Sequence, residues 1–271
     1  MKKILLVVSI TGFMFAEGKI GGVTYFDYSS TEKASGFNFQ RQYFGYGGDV
    51  SDQVSYKILF DVGRTNVGAA VIEKDTSYKS EDTRLVVFLK KAQINYKSSF
   101  GRFNFGLIGM NTYAVQESNW GYRFIEKSAI DKNVFSSTAD IGVGFSKSLI
   151  DNLNLSLLFV NGEGFKKSQG DKYHKIAFNA TYGEGNLNKN DGYNTGLVYT
   201  TEQTDTDPIT MTSIFGGFAG MGLRLGGEYD MLTKGSVKSN IISVSTNYTV
   251  RDNIDVFVRY DIYDGDTSID N

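Results

Sequence analysis

Segments in which apolar and polar residues strictly alternate recur along the chain, and they set its architecture. In the first clear one, Val54, Tyr56, Ile58, Phe60 and Val62 share one face, and Ser55, Lys57, Leu59, Asp61 and Gly63 share the other. Ala92, Ile94 and Tyr96 alternate likewise with Lys91, Gln93, Asn95 and Lys97. So do Ile254, Val256, Val258, Tyr260 and Ile262 with Asp255, Phe257, Arg259, Asp261 and Tyr263. A period of two is that of a β-strand with unlike faces. Extended over the chain, the pattern predicts about 13 strands, at 19–28, 37–47, 53–63, 86–98, 101–110, 138–148, 153–161, 174–183, 193–202, 209–218, 221–232, 237–250 and 254–264.

The connections are sorted by length. Residues 48–52, 99–100, 149–152, 219–220 and 251–253 are tight turns rich in Gly, Asp and Asn, whereas 29–36, 64–85, 111–137, 162–173 and 203–208 are long and polar. Alternating short and long links fit an antiparallel up-and-down transmembrane β-barrel, with short turns on the periplasmic rim and long loops outside or in the lumen. The stretch 184–192, GEGNLNKND, breaks the rule by being long where a tight turn is expected.

A spanning strand needs roughly 9–11 residues, and only a closed barrel pairs every backbone group in lipid. One face then meets lipid while the other lines a polar interior, so the mean hydropathy stays at −0.24. Tyr28, Tyr46, Tyr96, Tyr182, Tyr248 and Tyr260 are expected at strand ends, where an amphipathic ring suits the lipid–water boundary. An odd strand count leaves an unpaired edge. The expectation is therefore an incomplete barrel of about 14 to 18 strands, with 17–271 as the barrel domain and its C-terminal strands missing.

Residues 1–16, MKKILLVVSITGFMFA, place Lys2 and Lys3 before a short apolar run and a small residue, Ala16. That is the layout of a signal peptide, too short for a membrane-spanning helix. Export across the inner membrane of a Gram-negative bacterium follows, with a mature start near Glu17.

Composition narrows the chemistry. With no Cys, one His and one Pro, thiol nucleophiles, disulfides and Cys-ligated metals are excluded. With Lys+Arg 28 against Asp+Glu 30, no basic face of the kind nucleic-acid binding needs is expected. Ser136, Ser137 and His174 are hydrolase candidates by residue type only, and the reading is that the chain is no enzyme. Asp264, Asp266 and Asp270 lack calcium-loop spacing and read as a solvated loop. No metal or cofactor is expected.

The runs FNFQRQYFGYGGDVSDQVSYKILFDVG, KKAQINYKSSFGRFNFGLIGMNTYA, WGYRFIEKSAIDKNVFSSTADIGVGF and LLFVNGEG resemble bacterial outer-membrane porins grouped with the phosphate-selective O and P porins. The resemblance covers about half the chain. It implies a channel-forming barrel in which an inward-folded loop narrows the pore, with outer-membrane lipid and small polar or ionic solutes as partners and a homo-trimer as a compatible assembly.

A long link such as 111–137 is uncommon without a function. Folded inward, it would offer Trp120, Tyr122, Arg123, Glu126, Lys127, Asp131 and Lys132 as the constriction. Strand parity adds Lys57, Asp61, Lys91, Lys97, Asp140, Lys175, Arg224, Glu228, Arg259 and Asp261 as pore lining, with Glu202, Asp230 and Asp255 on the same face. The signs nearly balance and form no ladder of Arg or Lys, so a general, weakly selective pore is expected. The alternative is a non-conducting structural or adhesion barrel.

Overall fold

The computed structural model describes residues 18–30, 35–64, 67–73, 76–82, 85–252 and 254–267. The expected signal peptide and Asp270 lie outside the described residues. The chain begins with β1 (Gly18–Ser30), β2 (Ser35–Asp49), β3 (Val54–Arg64), β4 (Val67–Glu73), β5 (Thr76–Asp82), β6 (Leu85–Ser98) and β7 (Gly101–Gly109). Two short helices follow, α1 (Ala114–Trp120) and α2 (Ala129–Lys132). Then come β8 (Ala139–Ile150), β9 (Leu153–Val160), β10 (Lys175–Gly183), β11 (Gly192–Glu202), β12 (Ile209–Gly220), β13 (Leu223–Lys234), β14 (Val237–Arg251) and β15 (Ile254–Asp264).

Apart from β4 and β5, these strands form one 13-stranded sheet in which each hydrogen-bonds its neighbours in sequence, antiparallel throughout. Its order runs from β1 to β15, which are its two ends. The one departure from a plain meander is the segment 64–85, expected as a long loop. It instead carries the β4–β5 hairpin as a separate two-stranded sheet, and β3 pairs directly with β6.

The short-turn rim is made by local chemistry. Between β8 and β9, Asn152 has φ 68°, and between β12 and β13, Met221 and Gly222 have φ 55° and 78°. Positive φ at both central residues gives the turn whose twist matches that of the strands it joins. Asn and Gly accept this conformation readily, whereas Met221 does not.

The apolar residues of the alternating segments point outward and are exposed: Ile20, Phe44, Ile58, Leu89, Ile94, Phe105, Ile141, Leu157 and Phe159 among them. The polar ones point inward and bond one another across strands. Asn104 donates to Asn95 Oδ1 at 2.6 Å, and Asn95 donates to Ser55 Oγ at 3.0 Å. A sheet that is apolar outside and hydrogen-bonded inside is the inverse of a water-soluble core and suits a lipid surround.

All six tyrosines expected at the boundary are on the exposed face. Tyr46, Tyr96, Tyr182 and Tyr248 fall near the short turns, and Tyr56 and Tyr193 join them by ring contact. Tyr260 departs from the expectation: it sits mid-strand opposite Val244, because β14 and β15 extend well past it on both sides.

Candidate functional site

The segment 111–137, expected without obvious structure, folds onto the inner face of the sheet. α1 packs on β12 and β13, and α2 on β14. Its start is tied down by Thr112 Oγ1 donating to Ser136 Oγ at 2.9 Å. Asn111 and Asn179 add a clasp in which Asn179 Nδ2 donates to the Asn111 carbonyl at 2.9 Å. α1 ends at Gly121, φ 77°, whose N–H returns to the Glu117 carbonyl, the left-handed stop that glycine permits. Ser128 caps α2 by accepting from the Asp131 N–H.

The seat for α1 is a patch of paired glycines. Gly216 and Gly217 on β12 face Gly227 and Gly226 on β13. A Cβ on Gly217 would come within 2.6 Å of the Asn119 amide, and one on Gly226 within 3.1 Å of Asn119 Cβ. Only a bare backbone lets the helix approach this closely. Around the patch, Asn119 and Asn194 exchange reciprocal amide bonds of 2.9 Å, and Gln116 donates to Ser213 at 3.2 Å. Ile130 and Phe135 sink into an apolar cluster with Val198, Met211, Phe215, Leu232 and Ile241. Each such side chain contributes about 1.5–3 kcal/mol on burial, which offsets the ordering of a long segment.

Several residues expected to line the lumen instead fasten this loop. Arg259 Nη1 donates to the Lys127 carbonyl at 2.6 Å, pairs with Asp261 at 2.8 Å and lies over the Trp120 ring at 5.0 Å. Arg224 donates to the Trp120 carbonyl, and Lys132 bridges Glu126 at 3.2 Å and Asp261 at 3.9 Å. Glu228 lies under the loop beside Gln116, Asn119 and Trp120.

Two placements are corrected. Trp120 is 4% exposed, with its indole N–H on the Glu126 carbonyl, so it wedges the loop against the wall rather than narrowing a passage. Asp140 is 1% exposed, and its carboxylate accepts the N–H groups of Gly162 and Gly164 at 2.8 and 3.2 Å. It anchors the inward turn of the 161–174 link, which covers it.

The charges left on the free side of the loop are Glu117, Arg123, Lys127 and Asp131, with Lys127 within electrostatic reach of Lys166. Arg123 Nε pairs with Glu117 at 3.3 Å and its Nη2 with Asp131 at 3.8 Å. Burial pushes the Glu117 carboxyl above the usual carboxylate range; Arg123 opposes this, Asp131 adds to it, and Lys90 and Lys91 draw it down. Glu126 goes the other way. Burial would raise it, but the Lys127 N–H and the Lys132 ammonium hold it below the usual range.

Opposite lies a basic wall that strand parity had only half exposed. β-bulges shift the register between Tyr25 and Phe26 and between Leu59 and Phe60. The partner strands thereby gain an extra residue, Gln40 in β2 and Lys90 in β6. Each bulge puts two successive residues on one face, so Lys90 joins Lys91, and Arg41 joins Gln40, on the inside. Asp61, 2% exposed, sits between Arg41 at 3.0 Å and Lys90 at 3.6 Å. Lys90 lies 4.7 Å from the Tyr43 ring centre, and Lys166 4.8 Å from that of Phe88. Lys57 lies within electrostatic reach of Lys91, and Asp131 within that of Arg41.

The remaining candidates sit away from this gap. Lys97 lines a polar hollow near the 99–100 turn, and Lys175 pairs with Glu202 at 2.8 Å by the long-loop rim. Tyr122 packs edge to face against Trp120 and tilted against Phe257, under Arg224. The hydroxyl of Ser136 donates to the Ser137 carbonyl, and the His174 ring lies against Phe159.

No protein-family model and no curated protein sequence matches the chain. Solved structures do. OmpF of Salmonella typhi, solved in complex with daunomycin, aligns over 92% of this chain and 79% of its own, with a TM-score of 0.60 at 12% identity. The fold is that of the outer-membrane porins. An anion-selective porin from Comamonas acidovorans aligns over 93% of this chain and 80% of its own (TM-score 0.57, 10% identity). A loop-deletion form of OmpT, an outer membrane protein of Vibrio cholerae, covers 90% and 81% (TM-score 0.56, 12% identity). At such identities the likeness is one of fold, and the bulged basic wall and glycine seat are read from this chain alone.

Proposed function

We propose that the chain is a passive diffusion channel of the bacterial outer membrane for small polar or ionic solutes, exported by residues 1–16. The observation that carries this reading is the inward-folded loop, which sets Glu117, Arg123 and Asp131 against the wall of Arg41, Lys90 and Lys91. The porin fold and the apolar outer face support it. A homo-trimer, its subunits meeting through parts of that apolar face, belongs to the same proposal.

The near-neutral balance expected from parity needs revision within this reading. Asp140 is withdrawn from the lumen, Glu228 and Asp261 are taken up at the loop's seat together with Arg224 and Arg259, and Arg41, Lys90 and Lys166 join the lumen face. The open side of the gap therefore leans positive. Asp61 still neutralises part of the Arg41–Lys90 cluster. The result is a mild preference for anions rather than the dedicated phosphate path that the resemblance to the O and P porins would give.

Purified protein in a planar bilayer across a KCl gradient tests this. The expected reversal potential corresponds to an anion-to-cation permeability ratio above one and below about ten, the latter being roughly 1.4 kcal/mol of discrimination. A ratio below one refutes the basic-wall argument. A ratio far above ten restores the phosphate-type reading, and protein that inserts without conducting favours the structural or adhesion barrel.

A further inference from the structure

The link 161–174 leaves β9 and turns at once toward the inner face of the sheet. Asn161 extends the β8–β9 pairing by one bond, its N–H on the Ile141 carbonyl at 2.9 Å. Gly162 and Gly164 then take φ 113° and 79°, a backbone path that L side chains rarely adopt. Both donate their N–H groups to the buried Asp140 carboxylate. A Cβ on Gly164 would come within 2.9 Å of Ser137 Cβ, so the segment lies close against the chain that leads into β8. The Lys167 N–H returns to the Gly164 carbonyl at 3.4 Å, which leaves Phe165 and Lys166 at the apex of the turn.

That apex reaches the basic wall three strands away. Lys166 Nζ stands 4.8 Å from the Phe88 ring centre on β6, and the Phe165 ring has the ammonium groups of Lys90 and Lys166 each at 5.6 Å. Cations at such distances are attracted to an aromatic ring, and the contacts hold the apex in place. Lys166 is within electrostatic reach of Arg41, Asp61 and Lys90 on the wall and of Lys127 on the constriction loop. It therefore joins the two sides of the gap.

We propose that this link is a second jaw of the constriction, that Lys166 is the residue which sets the anion preference, and that Asp140 is its positioning residue. The proposal rests on the channel reading above and names the side chain through which that channel discriminates.

Most other charges at the gap are already paired. Arg41 and Lys90 share Asp61, and Arg123 is held between Glu117 and Asp131. Lys91, Lys127 and Lys166 have no carboxylate at ion-pair distance among the described residues. Of these three Lys166 alone is exposed, and Lys91 lies against Gly109. An unpaired, exposed cation keeps its field for a passing ion, whereas a paired one is largely cancelled by its partner.

The chain has no cysteine, so Lys166→Cys places one thiol at the apex. Reversal potentials across a gradient of dilute KCl, where charge is least screened, test the proposal. Lys166→Cys should lower the anion-to-cation permeability ratio roughly twofold or more. An aminoethyl methanethiosulfonate, which puts an ammonium on that thiol, should restore the parental ratio, and a sulfonatoethyl one should lower it further. Lys172→Gln, which removes an exposed lysine of the same link paired with Asp205 at 3.8 Å, should leave the ratio unchanged. Asp140→Asn should also lower the ratio, by less than Lys166→Cys does, and adding it to Lys166→Cys should lower the ratio no further. Loss of a negative charge would by itself favour anions, so a fall in the Asp140→Asn channel reports the displacement of Lys166. A ratio unmoved by Lys166→Cys, an ammonium adduct that fails to restore it, or an equal shift in Lys172→Gln would overturn the role of Lys166 while leaving the channel reading intact. A rise in Asp140→Asn would overturn the positioning role. Absence of any KCl current through the parent would take down the channel reading as well.

Discussion

Replacing Arg259 by Met keeps the length of the side chain and removes three contacts that hold the constriction loop. A hydrogen bond from a charged donor, such as the one to the Lys127 carbonyl at 2.6 Å, is worth about 1.5–3 kcal/mol. The guanidinium over Trp120 at 5.0 Å adds about 0.5–2 kcal/mol. The third contact, the ion pair with Asp261, is partly replaced, because Asp261 keeps the Ser243 hydroxyl at 2.7 Å and Lys132 at 3.9 Å. The loop seat should therefore weaken by about 2–5 kcal/mol. Every 1.4 kcal/mol is tenfold, so the fraction of time spent off the seat rises by roughly thirtyfold to a few thousandfold. Open-channel current noise reads this directly: Arg259→Met should flicker between conductance levels where the parent is quiet. Arg259→Lys, which keeps the charge beside Asp261 but not the fork, should fall between them. A quiet Arg259→Met channel with parental conductance would refute the anchoring argument.

Glu117 titrates above the usual carboxylate range and Glu126 below it. As pH falls from 7 toward 4, Glu117 should therefore be neutralised first, and the gap should become more positive. The anion-to-cation permeability ratio should rise over that interval, and Glu117→Gln should abolish the rise; a pH response that survives this substitution would contradict the assignment. Asp140→Ala strips the Gly162 and Gly164 N–H groups of their carboxylate and should cost about 2–4 kcal/mol, visible as a lower unfolding temperature in detergent. Asp140→Asn, which keeps one acceptor, should cost less than half of that. Equal melting of all three proteins would mean that the covered position does no anchoring.

Much of the fold is legible in the alternation, because a wall with lipid on one side and polar groups on the other writes a period of two into every strand. The 64–85 hairpin escaped that reading because it pairs only with itself and is not part of the wall. The site was legible in its loop and less so in its wall. Val86, Phe88 and Lys90 keep one parity and Lys91, Gln93 and Asn95 the other, so the Lys90–Lys91 doublet marks the slip where the bulge lies. Asn38 and Gln40 against Arg41 and Tyr43 mark the second slip in the same way. Gly216–Gly217 and Gly226–Gly227 were visible as composition, but only their pairing across β12 and β13 makes a seat. Trp120 was placed by its loop, which does not tell whether a side chain turns to the gap or to the wall, and Asp140 by strand parity. Parity tells which side of the wall a residue is on, and not what the chain later folds over it.

The central claim is that residue 123 stands at the narrowest point of a conducting path. The chain has no cysteine, so Arg123→Cys carries a single reactive thiol. Its single-channel current in KCl should drop in discrete steps when a negatively charged methanethiosulfonate reagent is added. Permeability should shift toward cations at the same time, and a reducing agent should reverse both. A current unchanged by the reagent, in channels whose thiol is shown by mass to be fully modified, would contradict the account.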